Sequence, residues 1–291
     1  MIKVSYKHNI TQSYYDDLSN RKFQKEENRT LEELFNEKFK NEFKCSLSDL
    51  LYGSFEELQS IKERLGNMSD REDVKTFFNY ETKFQTPISK FFEKQVDVHV
   101  CYFCNIEYIN KFVTDNERVK NGFTLDHYLD KGKYPYLALS LYNLVPSCYV
   151  CNSKVKGRQE INTLSPTSTS FNFNEKVKFK TFMDNDNLQI EREKDFKLLL
   201  KEDFTDTYDK YIGVLELDGR YEYHKYKVIE MINKRKQYPD SRIKELAKLT
   251  EKTEEEVKQD LFGEYLFEDK DLHKRPLSKL TRDISKELGL L

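Results

Sequence analysis

The sequence predicts an α+β protein that is mostly helical, with a small core in the middle of the chain that a bound zinc ion cross-links. Three observations predict this fold class. Helix-capping patterns recur before residue 96, two Cys-x-x-Cys pairs enclose short strand-like stretches, and an alternating pattern followed by helical patterns begins after residue 165. The predicted regions are therefore helical 1–96, a zinc-stapled core 97–164, and a C-terminal region 165–291 with a β-hairpin and then helices.

The N-terminal region has repeated signals for the start of a helix. Thr30 and Glu33 have the spacing of a capping box, in which the hydroxyl and the carboxylate each accept a hydrogen bond from the other residue's backbone. Ser54 and Glu57 repeat this pattern, and further helices are predicted near 69–78 and 87–92. The region shows no chemical motif, so we interpret it as a helical module for packing or for binding a partner.

The core region begins and ends with a cysteine pair. Cys101 and Cys104 form the first pair, and Cys148 and Cys151 form the second. Four thiolates can close a tetrahedral zinc site, which leaves no open coordination position for chemistry. The zinc is therefore predicted to be structural. Short strands are predicted over 96–100 and 122–125.

The C-terminal region opens with the Ser- and Thr-rich linker 165–170. Alternation over 176–182 and again over 188–191, with the polar turn 184–187 between them, predicts a β-hairpin. Helical patterns then follow over 220–236, 240–249, 253–262 and 277–288.

Composition indicates a folded globular protein, and the net charge disfavours a protein that binds nucleic acid tightly by itself. Apolar residues make up 37% and charged residues 34%, and 21 Phe and 19 Tyr provide bulk for a packed core. The net charge is −2, from 49 basic and 51 acidic side chains. Phosphate neutralisation dominates nucleic-acid affinity, so this balance disfavours tight autonomous binding to DNA. A local patch, or a partner that delivers the substrate, would have to supply the contact.

The sequence predicts a cytoplasmic protein without a membrane partner. No apolar run approaches the roughly 20 residues needed to span a bilayer, and the first residues lack the apolar stretch of a secretory signal. Five cysteines, four of them in metal-type pairs, suit a reducing compartment better than a disulfide framework. The fifth, Cys45, is expected to be an ordinary buried or half-buried residue.

Between and just behind the cysteine pairs lie residues that suit metal-assisted phosphodiester hydrolysis. Asp126 offers a carboxylate and Asn152 an amide oxygen, which are hard ligands for a catalytic Mg²⁺ or Mn²⁺. His127 adjoins Asp126 and could accept a proton from water near neutral pH. Asn143 could orient these groups through hydrogen bonds to backbone or imidazole.

These motifs together resemble the HNH nuclease family, with its treble-clef, ββα-metal architecture. The resemblance covers residues 99 to 157, and the stretch 125–156 also resembles HNH proteins of bacterial anti-phage defence loci, often encoded beside an ATPase. It implies that His127 is the general base and that Asp126 and Asn152 hold the catalytic metal, with Asn143 as the middle motif residue. Two departures are the asparagine at 152 in place of a histidine and an apparent polar insertion over 110–121.

We therefore expect a metal-dependent HNH endonuclease, a phosphodiester hydrolase for which DNA is favoured over RNA, acting in anti-phage defence. Lys154, Lys156 and Arg158 are candidate phosphate contacts, although a solvated helix face explains them equally well. The alternative is a non-catalytic zinc-knuckle module that binds nucleic acid or protein. A third hypothesis, compatible with the first, is a regulated effector of an ATPase complex with helical flanks that dock to the partner.

Overall fold

A computed structural model describes residues 1–4, 6–97, 99–161, 164–183, 190–263 and 272–291. It divides into two compact units. The N-terminal unit consists of Lys3–Val98 and Ile109–Phe171, and the C-terminal unit consists of Met1–Ile2, His99–Tyr108 and Asn172–Leu291. This grouping follows proximity in space, and the three regions defined by sequence remain a prediction.

Helices form most of the first part of the N-terminal unit. They are α1 His8–Ser19, α2 Leu31–Lys38, α3 Lys40–Phe43, α4 Leu47–Tyr52, α5 Phe55–Leu65, α6 Glu72–Phe77 and α7 Gln85–Gln95, with a π-helical turn Tyr80–Phe84 before α7. Both predicted capping boxes are confirmed. In the first box, Glu33 N–H donates to Thr30 Oγ1 over 3.2 Å. In the second box, Ser54 N–H donates to Glu57 Oε2 over 2.7 Å. Each cap stabilises its helix by about 1 kcal/mol.

The sheets of the N-terminal unit are short antiparallel pairs. They are β1 Lys22–Phe23 with β2 Arg29–Thr30, β3 Phe112–Val113 with β4 Val119–Lys120, and β5 Thr124–His127 with β6 Leu144–Ser147. The strand predicted over 122–125 therefore corresponds to β5, shifted by two residues. Between β5 and β6 lie two 3₁₀ turns, Pro135–Leu137 and Leu141–Asn143.

A cluster of phenylalanine rings forms much of the core of this unit. Five rings from α2, α3, α6 and the residues beside them lie with centroids 4.8 to 6.4 Å apart, namely Phe35, Phe39, Phe43, Phe77 and Phe78. Tyr136 packs against Phe43 at 5.9 Å and donates its hydroxyl hydrogen to Gly66 O over 2.8 Å. Aromatic burial on this scale anchors the segment that follows β5 to the N-terminal helices.

The C-terminal unit combines a β-hairpin with helices. The strands β7 Val177–Met183 and β8 Phe196–Glu202 pair antiparallel, and the helices are α8 Phe173–Lys176, α9 Asp209–Val214, α10 Leu217–Glu222, α11 Lys225–Gln237, α12 Asp240–Thr250, α13 Glu254–Phe262 and α14 Ser278–Glu287. The fold class is confirmed at this level: helices accompanied by small antiparallel sheets and four clustered cysteines.

Two strand predictions need correction. The first strand of the predicted hairpin is present as β7, but its partner is β8, because Phe196, Leu198 and Leu200 supply the buried face. The predicted turn 184–187 and residues 188–189 lie outside the described residues, and 190–191 are not strand. The described part of 96–100 contains only an isolated bridge, between Val100 and Tyr108, in place of a strand.

Within the ranges that the structure describes, no helix is both long enough and apolar enough to cross a membrane.

Candidate functional site: a cavity beside Asp126 and His127

The four predicted zinc ligands lie close together. The Sγ atoms of Cys101, Cys104, Cys148 and Cys151 are all within 4.8 Å of one another, and all four residues are buried. The backbone amides of Ile106 and Cys151 donate hydrogen bonds to Sγ of Cys104 and Cys148, each over 3.4 Å. The cluster could hold a metal ion such as zinc, and four thiolates would complete its coordination.

The β5–β6 pair determines where the predicted catalytic residues lie. Asp126 pairs with Val145 and His127 with Leu144, near the end of the short ladder. Asp126 is buried, with only 2% of its surface exposed, whereas His127 is half-buried. Neighbouring positions on a strand direct their side chains to opposite faces, and the imidazole keeps more exposed surface than the carboxylate.

A cavity of about 770 Å³ opens beside β5. Residues from β5, from the π-helical turn before α7 and from the segment that follows β6 line it, and they include Tyr80, Asp126, His127, Lys131, Asn152 and Arg158. Three of the four residues predicted to be catalytic therefore line a single cavity, Asp126, His127 and Asn152. Its size suits a ligand group rather than a lone water molecule.

The imidazole of His127 is fixed on one edge and open on the other. Its Nε2 lies 2.9 Å from the backbone oxygen of Ala138, and a carbonyl can only accept, so Nε2 carries the hydrogen. Nδ1 accepts no hydrogen bond from any residue in the described ranges. The Tyr80 ring meets the imidazole edge to face, with centroids 4.5 Å apart. The imidazole is thus oriented with its lone pair free.

Burial, followed by the nearby Lys131 ammonium, lowers the pKa of His127 to about 3. The imidazole is therefore neutral at pH 7, and the Nδ1 lone pair is available to accept a proton. A general base works best when its pKa is near the working pH. An anionic phosphate in the cavity would raise the pKa of His127 toward that range, because it favours the protonated ring.

Asn143 is fully buried and clamps the segment that follows β5. Its Oδ1 accepts the Leu129 amide hydrogen over 2.7 Å, and its Nδ2 donates to Leu129 O over 3.1 Å and to Leu137 O over 3.0 Å. Its side chain bonds to backbone and not to the imidazole. Because Leu137 precedes Ala138, the carbonyl that orients His127, Asn143 acts on the imidazole through the backbone.

The segment after β6 forms a π-helical turn, Val150–Lys156. Such turns are rare and occur frequently at functional sites. The Gly157 amide donates to Asn152 O over 3.0 Å, five residues back, and Gly157 has φ +50°, which ends the turn. Asn152 and Lys156 both line the cavity, while Lys154 is exposed and lies over the Tyr149 ring at 5.7 Å.

Lys156 lies inside the protein rather than on the solvated face considered from the sequence. Only 3% of it is exposed, and its Nζ lies 3.0 Å from Asp126 Oδ2 and 3.2 Å from Oδ1. The ammonium also donates to the backbone oxygen of His127 over 3.3 Å. Burial still raises the pKa of Asp126, because desolvation of the carboxylate outweighs the attraction of the ammonium.

The other charges around the cavity are largely paired. Lys131 lies 2.8 Å from Glu81, and Lys133 lies 2.6 Å from Glu160. Arg158 is exposed, lines the cavity and has no ion-pair partner within the described residues. It is thus the cavity cation best suited to meet a phosphate, and the cavity as a whole carries little excess positive charge.

The sequence did not indicate two features of this site. Tyr80 is 47 positions from His127 and belongs to the predicted helical module, and no motif marks it. Helix α1 and the loop between α5 and α6 also hold the segment after β5: Tyr14 Oη donates to Leu139 O over 2.7 Å, and Met68 N–H donates to Lys133 O over 2.9 Å. Long-range packing of this kind has no local sequence signal.

Comparison with family models, curated proteins and solved structures finds no match to this chain.

Proposed function

We propose that this protein is a metal-dependent HNH-type endonuclease that hydrolyses phosphodiester bonds in the cavity beside β5. One observation carries the proposal: a neutral imidazole, whose Nδ1 has no hydrogen-bond partner within the described residues, lines the same open cavity as a buried carboxylate. A histidine with only a packing role is expected to have its buried ring nitrogens hydrogen-bonded. The order of residues around it, Asp126-His127 followed by Asn143 and Asn152, is the order that resembles the HNH family.

The residues of the cavity fit a divalent cation. Both oxygens of the buried Asp126 carboxylate face a positive charge, the Lys156 ammonium at 3.0 and 3.2 Å, so this carboxylate is placed to neutralise a cation. Asn152 adds an amide oxygen whose side chain has no hydrogen bond within the described residues. These oxygen donors suit Mg²⁺ or Mn²⁺, and such an ion stabilises negative charge on a phosphoryl group and its leaving oxygen.

The protein's own groups supply proton transfer and orientation. His127 Nδ1 would accept a proton of a water molecule as the water oxygen attacks phosphorus. The bond from phosphorus to the 3′ oxygen breaks, and that oxygen takes a proton from solvent, which leaves a 5′-phosphate and a free 3′-hydroxyl. The Ala138 carbonyl and the Tyr80 ring hold the imidazole in the tautomer that this step requires. Arg158 would contact the substrate phosphate, while Asn143 keeps the carbonyl in place.

The paired charges around the cavity support a substrate that is delivered rather than captured. Phosphate neutralisation by free cations dominates unaided binding to nucleic acid, and most cavity cations here already have a carboxylate partner. Together with the resemblance to HNH proteins of defence loci, this supports the role of an anti-phage effector that works with an ATPase partner. DNA is the favoured substrate.

Cleavage assays with matched histidine variants test the proposal. Purified protein is incubated with plasmid, linear DNA and tRNA, with Mg²⁺, with Mn²⁺ and with a chelator. We expect DNA cleavage that needs the metal, that His127→Ala abolishes and that His224→Ala retains, since His224 lies in the C-terminal unit and outside the cavity. Cleavage retained by His127→Ala, or equal loss in both variants, would contradict the role of this cavity.

A further inference from the structure

The Lys156 ammonium occupies the position beside Asp126 that a cation would need. It lies 3.0 and 3.2 Å from the two carboxylate oxygens and 3.3 Å from the His127 backbone oxygen, so three oxygens surround it. Both side chains of the pair are almost completely buried, at 4% and 3% exposed. A cluster of oxygens around a buried positive charge is also what a hard metal ion requires.

We propose that Lys156 is an internal competitor for the divalent cation at Asp126, and that the cation binds only when this ammonium withdraws. The inference rests on the proposed function, because it concerns the same carboxylate. Two positive groups cannot share one buried carboxylate at ion-pair distance, since like charges repel strongly in a poorly solvated site. With the ammonium in place the pair is neutral, and the protein without metal is stable but not ready for catalysis.

The surroundings of Lys156 allow this exchange. Lys156 is the last residue of the π-helical turn, and Gly157 follows it with a backbone conformation that most residues avoid. The side chain also lines the cavity, so the flexible four-carbon stem can swing its ammonium into that space without unfolding the core. There the ammonium would face the substrate phosphate, so substrate and metal would favour the same withdrawn state.

Lysine acylation read by mass spectrometry tests the exchange in the unmodified protein. Without divalent metal we expect Lys156 to be labelled slowly, because its ammonium is buried, and Lys154 to be labelled fast, because it is exposed. Saturating Mn²⁺ should raise the labelling rate of Lys156 by about tenfold and leave that of Lys154 unchanged, as expected for loss of a buried ion pair. An unchanged rate for Lys156 with Mn²⁺ bound would overturn the proposal.

Mn²⁺ affinity, measured by calorimetry, provides an independent test with variants. Lys156→Met keeps most of the side-chain length and removes the charge, so we expect it to bind Mn²⁺ about tenfold more tightly than the wild type. Asp126→Asn should abolish this binding in both backgrounds. Equal or weaker binding by Lys156→Met, or no Mn²⁺ bound through Asp126, would overturn the proposal.

The two proposals can fail separately. If the wild type cleaves DNA through His127 while Lys156→Met binds Mn²⁺ no more tightly, only the competition is wrong. If Lys156→Met binds more tightly but no nucleic acid is cleaved under any condition, the competition stands and the nuclease assignment falls.

Discussion

Replacing Asn143 with leucine should lower the free energy of unfolding, because Asn143 holds the segment that follows β5 through buried hydrogen bonds. Leucine has the same branching as asparagine but leaves three buried backbone groups without partners: Leu129 N–H, Leu129 O and Leu137 O. Each unsatisfied group costs about 1–3 kcal/mol, and some will find water, so we expect a loss of about 3–6 kcal/mol. Urea denaturation measures the total, and hydrogen exchange over residues 128–139 locates it.

Asn152→Leu is the matched control. Asn152 is half-buried and its side chain makes no hydrogen bond within the described residues, so we expect a change within about 0.5 kcal/mol. A loss below about 1 kcal/mol for Asn143→Leu, or similar exchange in both variants, would refute the clamp.

The remaining predictions concern the imidazole, its contact and the cysteines. The pKa of His127 is lowered on folding from 6.5 to about 3. The folded protein therefore binds fewer protons below pH 6.5 and loses stability as pH falls. Without metal, the wild type should lose about 1–2 kcal/mol more than His127→Gln between pH 7 and 5, measured by denaturation at each pH. Tyr80→Leu should remove an edge-to-face contact of about 1 kcal/mol and lower kcat with KM unchanged; an unchanged kcat would exclude an orienting role. Cys148→Ser should lose one equivalent of zinc by elemental analysis and lower Tm; full zinc content would contradict the four-cysteine site.

Local patterns carried the predictions that the structure confirms. The capping boxes at Thr30 and Ser54 depend only on residues three positions apart, and the predicted hydrogen bonds between those residues are present. The clustering of the four cysteines could also be predicted, because metal-ligand chemistry restricts both the type and the spacing of the residues. The sequence also placed Asp126, His127, Asn143 and Asn152 together near those pairs; Asp126, His127 and Asn152 line one cavity, and Asn143 does not line it.

Features that depend on long-range packing could not be predicted in this way. The sequence marked Lys156 as one of several basic residues on a helix, and only the three-dimensional structure pairs it with Asp126, 30 positions away. Tyr80 meets His127 because the turn before α7 packs against β5. The second strand of the C-terminal hairpin was assigned to 188–191 because alternation resumes there, while the stronger apolar alternation of β8 forms the actual pair.

A crystal structure of His127→Ala with a short DNA duplex and Mn²⁺ would show directly where the substrate and the metal bind. We expect the scissile phosphate in the cavity beside β5, with anomalous Mn²⁺ signal at Asp126 and Asn152 and the Lys156 ammonium turned away from the carboxylate. DNA bound elsewhere on the protein, with the cavity free of metal and the Asp126–Lys156 pair intact, would contradict a hydrolytic site at this position.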